Sequence, residues 1–347
     1  MMNQKSQSRW VKWRWPILLI VILGLYLFQL PYYYSQPGDA LVLDDVITVE
    51  GADEETDGSF MLTTIRMGKA NLFFYAWAQF SPYRILHPES QLRFENETDE
   101  DYQHRQLMMM TDSQEVAKIV AYEQADKQVS YQYFGVLVTT LIEGMPANEV
   151  LEVGDRIKAV NGVSINTAEE LIDLLAGYSK GETVKLEIER NEETTIVTVG
   201  FSSFPEEMNA PSDRVGIGIQ APVTDREVTF DPDVHIDTSQ IGGPSAGLMF
   251  SLEIYDQLTE GNLTKGNLVA GTGTIREDGT VGRIGGAGQK VVAADRAGAA
   301  YFLAPFEEGA ANSNYEEAML AAEDIGTEME IIPINNFEEA IAFLDSL

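Results

Sequence analysis

TGTIREDGTVGRIGGAGQKVVAADRAGA, residues Thr272–Ala299, is the stretch that decides how the C-terminal third of this 347-residue chain folds. An apolar run from Leu268 to Thr274 predicts a strand, and Asp278-Gly279 predicts a tight turn after it. Lys290–Arg296 predicts a helix that ends at Gly298. The same alternation of strands and helices extends outward in both directions, from Val234 to the end of the chain. The pattern therefore predicts a mixed domain of strands and helices.

Ser245 lies upstream of this stretch, in the turn of IGGPSAGLMF (Ile241–Phe250), where a helix over Ser245–Leu258 is predicted. The pattern G-x-S-x-G is typical of the nucleophile elbow of α/β-hydrolases, in which a histidine follows the serine. The three histidines all precede the serine: His87, His104 and His235. This order excludes the elbow. A serine protease whose histidine precedes the serine in the chain stays formally open, although the residues around these histidines do not indicate a catalytic site.

Lys290 is the remaining candidate for a base that activates Ser245. An ordinary lysine has a pKa of about 10.4, so a lysine base needs burial or a nearby cation that lowers its pKa by roughly three units. Lys290 is the only charged residue between Ile284 and Ala294, and Ile241–Ser251 has no charge at all. If the two stretches meet, they predict a dry Ser–Lys dyad. The alternative is an ordinary surface lysine at the start of a helix.

Residues Tyr133–Val199 form a module of their own. Asn161-Gly162 predicts a hairpin turn, and Thr167 with Glu170 predicts a capped helix that ends at Leu175. The phrases FGV, EGMPA and VGDRIKAVNG resemble those of bacterial PDZ domains. We therefore expect a PDZ domain, a small β-sandwich with helices, over residues 129–203.

The PDZ resemblance also implies a peptide-binding groove, because such domains bind a peptide as an added strand at an open sheet edge. The loop and strand that would bind the peptide are expected at the start of the module. The predicted helix that ends at Leu175 is expected to form the opposite wall of the groove. The predicted groove residues are Phe134, Gly135, Val136, Val138, Leu171 and Leu175. The alternative is that they are core residues, and for Val138 and Leu175 both interpretations are equally open.

The uncharged segment Trp15–Tyr34 predicts a transmembrane helix, since twenty helical residues span about 30 Å. Aromatic residues flank both ends of this segment, as is typical of membrane interfaces. Four bases and no acid lie in residues 1–14. The positive-inside rule then predicts a cytoplasmic tail and a single-pass membrane protein whose remaining part lies outside. A cleaved signal peptide is the alternative, although no small-x-small cleavage site follows.

The phrase GGPSAG and the stretch Thr272–Ala299 resemble the proteolytic domain of Lon-type proteases over about Val234–Leu347. That resemblance implies Ser245 as nucleophile and Lys290, 45 residues later, as general base. The chain departs from the family where Gln240-Ile241-Gly242 replaces a Lys-Asp pair, and it lacks the ATPase part. The whole arrangement resembles the membrane-anchored, PDZ-containing Lon-like proteases of Gram-positive bacteria. We therefore expect an α+β fold in which residues 35–128 and 204–347 make a Lon-like domain around an inserted PDZ domain.

These residues predict an ATP-independent serine endopeptidase that cleaves unstructured peptides or exported proteins outside the membrane. The Ser245 amide, at a helix N-terminus, is expected to stabilise the oxyanion together with the amide of Gly243 or Gly242. No cofactor, metal or nucleotide is expected. A catalytically inactive PDZ scaffold of the cell envelope is the alternative.

The composition limits the partners and the chemistry. A net charge of -32 argues against nucleic acid as a partner, and the absence of cysteine excludes thiol catalysis. The acidic stretches Asp53–Asp57 and Asn96–Asp101 predict solvated loops. These stretches do not have the ligand spacing of an EF-hand, and the sequence leaves open whether they bind calcium in another way.

Overall fold

The computed structural model describes residues 9–52, 57–94, 97–205, 208, 211, 214–238, 241–259 and 262–347. The chain divides into two compact units. One contains the residues up to Gln128 together with Phe230–Leu347, and the other contains Val129–Thr229. Most of the predicted acidic loop Asp53–Asp57 lies outside the described residues.

The N-terminal part of the first unit contains four helices and four strands within the described residues. In chain order they are α1 (Arg9–Leu27), β1 (Gln29–Val42), β2 (Ile47–Val49), β3 (Ser59–Asn71), α2 (Leu72–Ala78), β4 (Ile85–Pro88), α3 (Glu89–Leu92) and α4 (Asp99–Gln124).

In its described residues, the second unit consists of short strands and two α-helices. They are β5 (Gln128–Leu137), β6 (Thr140–Leu141), α5 (Ala147–Val150), β7 (Arg156–Val160), β8 (Val163–Ser164), α6 (Ala168–Leu175), β9 (Thr183–Arg190), β10 (Glu193–Gly200), β11 (Ser202–Ser203), β12 (Val215–Gly216), β13 (Ile219–Gln220) and β14 (Val223–Asp231). The main sheet has the order β10-β9-β7-β5-β14. Two local predictions are confirmed here. Asn161 and Gly162 both have positive φ in the β7–β8 turn, and Thr167 and Glu170 form a capping box on α6.

The chain then returns to the first unit. Its last elements are β15 (Val234–Ile236), α7 (Gly247–Leu258), β16 (Leu268–Gly271), β17 (Thr274–Ile275), β18 (Val281–Gly282), α8 (Ala287–Arg296), β19 (Tyr301–Pro305), α9 (Asn314–Ile325), β20 (Glu330–Ile334) and α10 (Phe337–Asp345), with a short 3₁₀ turn at Glu307–Gly309.

One six-stranded sheet joins the two parts of the first unit, in the order β20-β19-β16-β3-β1-β4. β16 runs parallel to β3 and to β19, and β19 runs parallel to β20, whereas β1 is antiparallel to both β3 and β4. The parallel strands are apolar and buried because helices cover them, as parallel sheets require. Val291 of α8, Phe302 of β19 and Ala318 of α9 belong to this core.

Helix α4 starts well before the helix that the sequence predicted at Ser113–Gln124. Thr98 caps it through a capping box with Asp101, and Asp99 and Glu100 also lie in the first turn. Carboxylates at this end stabilise a helix through its dipole and through its unpaired amides. The stretch Asn96–Asp101, expected to be a loop, is therefore in its described part a helix start.

The predicted transmembrane helix Trp15–Tyr34 does not extend that far in the structure. Helix α1 ends at Leu27, and residues from Gln29 onward belong to β1, because they pair with β3 and β4 and bury Tyr33 in the sheet. In the part of the chain that the structure describes, no helix is both long enough and apolar enough to cross a membrane.

Candidate active site

Ser245 and Lys290 come together at the centre of the first unit. The distance from Lys290 Nζ to Ser245 Oγ is 2.7 Å. Ser245 lies two residues before α7, in a turn that Gly243 makes possible with a φ of 90°. A residue with a Cβ atom is strained at that φ. Lys290 lies in the first part of α8, so the start of each helix brings one of the two side chains into the site.

Lys290 is buried, with 3% of its surface exposed. Burial lowers the pKa of its amine to about 7, because the charged form loses its hydration in the interior. About half of the molecules thus carry a neutral amine at pH 7, which is the form that can accept a proton. Because the residues around Lys290 and Ser245 in the sequence are uncharged, the amine lies in surroundings of low polarity.

Thr272 is the third residue of the site, and it was not predicted from the sequence. Its Oγ1 accepts a hydrogen bond from Lys290 Nζ at 2.9 Å and donates one to the Ser245 carbonyl at 3.0 Å. The Gly273 amide also donates to the Ser245 carbonyl, at 3.0 Å. Thr272 directly follows β16, so the parallel sheet fixes its position. Its hydroxyl is fully buried at the end of an apolar strand, which the structure shows and the sequence does not.

Helix α4 holds the turn before Ser245 from the other side. The Gly243 amide donates to the Gln106 carbonyl at 2.8 Å, and Ser113 Oγ donates to the Pro244 carbonyl at 3.1 Å. A Cβ atom on Gly242 would lie 2.9 Å from Gln106 Cβ, so only glycine allows this approach. The turn is therefore shaped by a helix that is distant in sequence.

The contact with α4 corrects one predicted oxyanion donor. The Gly243 amide is occupied by Gln106 and does not point freely into the cleft. The amides of Ser245 and Gly242 donate to no acceptor within the described part of the chain. These two amides remain available for a developing oxyanion.

A cleft of about 1060 Å³ opens on Ser245 and Lys290. Strand β3 forms one wall, with Thr64 and Met67, and α4 forms another, with Tyr102 and Leu107. Its size and its mixture of polar and apolar walls suit an extended peptide rather than a small cofactor.

The structure does not support the predicted PDZ groove along β5. Val136, Val138 and Leu171 are core residues, each at most 1% exposed, and Leu175 packs against that core. β5 lies between β7 and β14, so its edge is not open. The alternative interpretation as core residues is therefore correct for Val136 and Val138.

Phe134 and Gly135 are also occupied by neighbours within the unit. The Phe134 carbonyl accepts a hydrogen bond from Lys158 Nζ at 2.6 Å. A Cβ atom on Gly135 would lie 2.4 Å from the Ile157 carbonyl oxygen. The Phe134 carbonyl is therefore already hydrogen-bonded within the unit, and the backbone at Gly135 packs too closely against β7 for any side chain.

A groove of about 860 Å³ lies instead between α6 and the segment Arg214–Pro222. Leu171 and Leu175 do line it, as the helix wall. The opposite wall is the run Gly216-Ile217-Gly218, whose Ile217 and Gly218 amides donate to no acceptor among the described residues. The predicted module ended at residue 203 and so missed this wall. The alternation of glycine and isoleucine in VGIGI (Val215–Ile219) was the signal.

Comparisons with known proteins agree with two domains of these kinds. Residues 93–200 match the model of the PDZ domain, and residues 215–344 match that of the Lon protease (S16) C-terminal proteolytic domain. The first match begins at Arg93, before α4, includes that helix of the other unit, and ends before β12. The chain thus carries a PDZ domain and a Lon-type proteolytic domain, which supports a serine peptidase.

Individual relatives resemble only part of the chain. A probable periplasmic serine endoprotease DegP-like of Bartonella henselae is 35% identical over 75 residues, which are 22% of this chain and 15% of that protein. The PDZ domain of an SdrC-like protein of Listeria monocytogenes is 26% identical over 25% of this chain and 87% of that one, with a TM-score of 0.23. The corresponding domain from Listeria innocua is 27% identical over 25% and 91%, with a TM-score of 0.22.

Proposed function

We propose that this chain is an ATP-independent serine endopeptidase in which Ser245 and Lys290 form a catalytic dyad. The observation that carries the proposal is the 2.7 Å separation of Lys290 Nζ and Ser245 Oγ, with the lysine buried and its pKa lowered to about 7. A neutral amine within hydrogen-bonding distance of a hydroxyl is the arrangement that general-base activation requires.

The reaction follows from this pair. Neutral Lys290 takes the proton of Ser245 Oγ while the oxygen attacks the carbonyl carbon of the scissile bond. The resulting ammonium then gives that proton to the leaving nitrogen, which leaves with the C-terminal product, and an acyl-enzyme ester remains. Lys290 next takes a proton from water, whose oxygen attacks the ester carbonyl. Return of the proton to Ser245 Oγ releases the N-terminal product.

Thr272 and the turn before Ser245 support this cycle in different ways. Thr272 Oγ1 holds the amine in line with Ser245 and accepts from it when it is charged. The Ser245 and Gly242 amides face the developing oxyanion, where preorganised donors lower the barrier most. The Gly243 amide, bound to Gln106, serves to fix the turn.

Substrates on this proposal are unstructured peptides or segments of exported proteins. The proposed dyad consumes no ATP, so it supplies no energy for unfolding a stable domain. The PDZ groove between α6 and Gly216–Gly218 receives the end of such a peptide, because unpaired amides there suit a carboxylate and the wall residues are apolar.

We also propose that α1 attaches the chain to a membrane and that the catalytic unit lies on the outer side. The support is the apolar helix itself, the exposed Trp13 and Trp15, and the four bases with no acid in residues 1–35. The resemblance of part of the chain to a periplasmic endoprotease is compatible with such a location.

Cleavage of an unstructured protein by the full chain, without nucleotide, tests the dyad. Ser245→Ala and Lys290→Ala should abolish cleavage, whereas Lys265→Ala, an exposed lysine of the same unit, should leave it unchanged. Equal cleavage by all variants would refute the dyad. No cleavage by any folded variant would favour the inactive scaffold.

A further inference from the structure

The acidic residues are unevenly distributed along the chain. None of the 55 acids lies in residues 1–38 or 58–88. The structure places these two stretches side by side, since β1 pairs with both β3 and β4, and Gln29 lies opposite Asn71. These two stretches of a very acidic protein therefore contain no carboxylate of their own, although Asp39, further along β1, pairs with Arg66 of β3.

Helix α2 lies on this side and is unusually aromatic. Phe73 is 56% exposed and Phe80, just beyond the helix, is 81% exposed. Leu72 and Tyr75 are exposed as well. We call Leu72, Phe73, Tyr75 and Phe80 the α2 surface. Exposed aromatic residues clustered in this way usually mark a contact with a partner or with lipid.

The α2 surface is continuous with the end of helix α1. Asn71, which caps α2, donates from Nδ2 to the Tyr26 carbonyl of α1 at 3.0 Å. The residues at the end of α1 are themselves apolar and exposed, including Leu27 and Phe28. Two basic residues lie nearby: Arg84 stacks on Trp77, and Lys69, just before the helix, pairs with Glu89 and Asp99.

We infer that the α2 surface inserts into the headgroup region of a lipid bilayer and holds the catalytic unit against the membrane. The inference rests on the proposed attachment by α1. Aromatic side chains favour this region, and partial insertion buries their apolar area. Residues 72–88 carry no carboxylate of their own, so this segment lacks the repulsion that the acidic parts of the chain would feel at anionic lipids. Its continuity with the end of α1 favours lipid over a second copy of the chain as the occupant.

Trp77 provides a direct reporter. The chain has four tryptophans, and three of them precede residue 16, so replacing Trp10, Trp13 and Trp15 by Phe leaves Trp77 alone. The full chain with these changes is mixed with vesicles of phosphatidylcholine and phosphatidylglycerol that carry bromine high on the acyl chains. We expect the chain to sediment with the vesicles and Trp77 emission to shift to the blue and to be quenched.

Two variants and one control sharpen the test. Phe80→Ser removes a side chain that is almost fully exposed, so folding is unaffected, and it should lower the quenching several-fold. Phe73→Ser should act in the same direction. Leu320→Ser, on α9, removes another side chain that is 68% exposed and should change nothing.

The outcomes separate the two proposals. If the parent chain, with all four tryptophans, does not sediment with vesicles, both the attachment by α1 and the inference are overturned. A chain that sediments while Trp77 stays unquenched overturns the inference alone. A blue shift that depends on protein concentration without vesicles also overturns it, and assigns the surface to self-association. Cleavage by the dyad is independent of all three results.

Discussion

The proposed mechanism depends on keeping one lysine neutral. Burial lowers the pKa of Lys290 to about 7, and among the described residues its amine donates to two hydroxyls, those of Ser245 and Thr272. A buried amine with hydroxyl partners loses about 4 kcal/mol of preference for the charged form when its pKa falls by three units. This free-energy cost of burial keeps the amine neutral, and it determines the pH at which the proposed dyad becomes active.

We predict that kcat/KM rises with pH through a midpoint of about 7 and then levels off. The neutral amine is the active form, so activity is lost below the pKa of Lys290 and is complete above it. The measurement is the pH profile on a short fluorogenic peptide. Lys290→Arg should be at least about 10³-fold less active throughout, because a guanidinium stays protonated. A flat profile would contradict this assignment.

Thr272→Val should lower kcat/KM roughly tenfold or more and move the midpoint to lower pH. The hydroxyl oxygen accepts from Lys290 and stabilises its charged form, so its loss favours the neutral form. Thr272→Ser keeps the hydroxyl and should restore both values. A purely structural role for Thr272 would reduce activity without moving the midpoint.

At this scale the sequence predicted the pair but not its surroundings. Ser245 and Lys290 could be found because both lie in stretches without charge. Thr272 is one of many threonines, and only the sheet reveals that it ends beside the amine. The Gly243 amide could not be excluded as a donor from sequence, because the carbonyl that occupies it belongs to Gln106 on a helix far upstream.

Helix α7, which follows Ser245, contains a buried carboxyl group that the mechanism does not use. Glu253 is 2% exposed, accepts a hydrogen bond from Gln257 Nε2 at 2.6 Å, and lies near Asp44 and Asp256. Burial, with Asp44 close by, raises the pKa of Glu253 to about 9. The folded unit therefore holds this group in its neutral form at neutral pH.

We predict that Glu253→Gln stabilises the protein above neutral pH. Because the folded pKa lies above the unfolded one, the contribution of Glu253 is complete at low pH and is lost as pH rises toward about 9, by about 1.4 kcal/mol per pH unit. Asp256, whose pKa burial raises to about 6, no longer titrates above pH 7. Urea unfolding at about pH 7 and about pH 9 measures the difference. Glu323→Gln, an exposed change on α9, is the control, and an equal response of both variants would contradict the prediction.

The elements differ in how well the sequence predicts them. The hairpin at Asn161-Gly162 and the capped helix α6 follow from local turn and cap chemistry, which the sequence displays. Strands β12 and β13 have two residues each, which is too short for strand periodicity, so the glycine–isoleucine alternation of Val215–Ile219 was the available signal for the wall of the PDZ groove. The start of α4 was missed because its three acids were interpreted as solvated rather than as helix-capping residues.

At the scale of the whole molecule, the PDZ unit is inserted into the chain of the first unit, whose six-stranded sheet contains no strand of the insertion. β5 and β14, which carry the chain into and out of that unit, are neighbours in one sheet. Within the first unit, Tyr122 packs on Phe230 and donates to the Pro232 carbonyl at 2.5 Å, so the two junctions lie close together.

Replacing Val129–Thr229 by a short Gly/Ser linker should therefore preserve the dyad. We expect cleavage of short peptides within about threefold of the parent, since loop closure costs little for a short linker. Affinity for longer substrates with a free C-terminal carboxylate should fall. Binding of such a peptide, measured by fluorescence anisotropy, compares the two chains. A folded deletion variant that binds the peptide equally well would place recognition outside the PDZ groove.

The parallel pairing of β3 with β16 also has a consequence for biosynthesis. Residues Phe60–Leu62, buried in the finished sheet, pair with Val269–Gly271, which the ribosome adds 209 residues later. At a synthesis rate of about 5–20 residues per second, the edge of β3 stays unpaired for roughly 10–40 s. During that interval β1, β3 and β4 form half a sheet with an open apolar edge, while the PDZ unit emerges and folds behind it. We expect the nascent chain to depend on chaperones at this stage, and slow codons after residue 230 to lower the yield of the enzyme more than slow codons within the insertion.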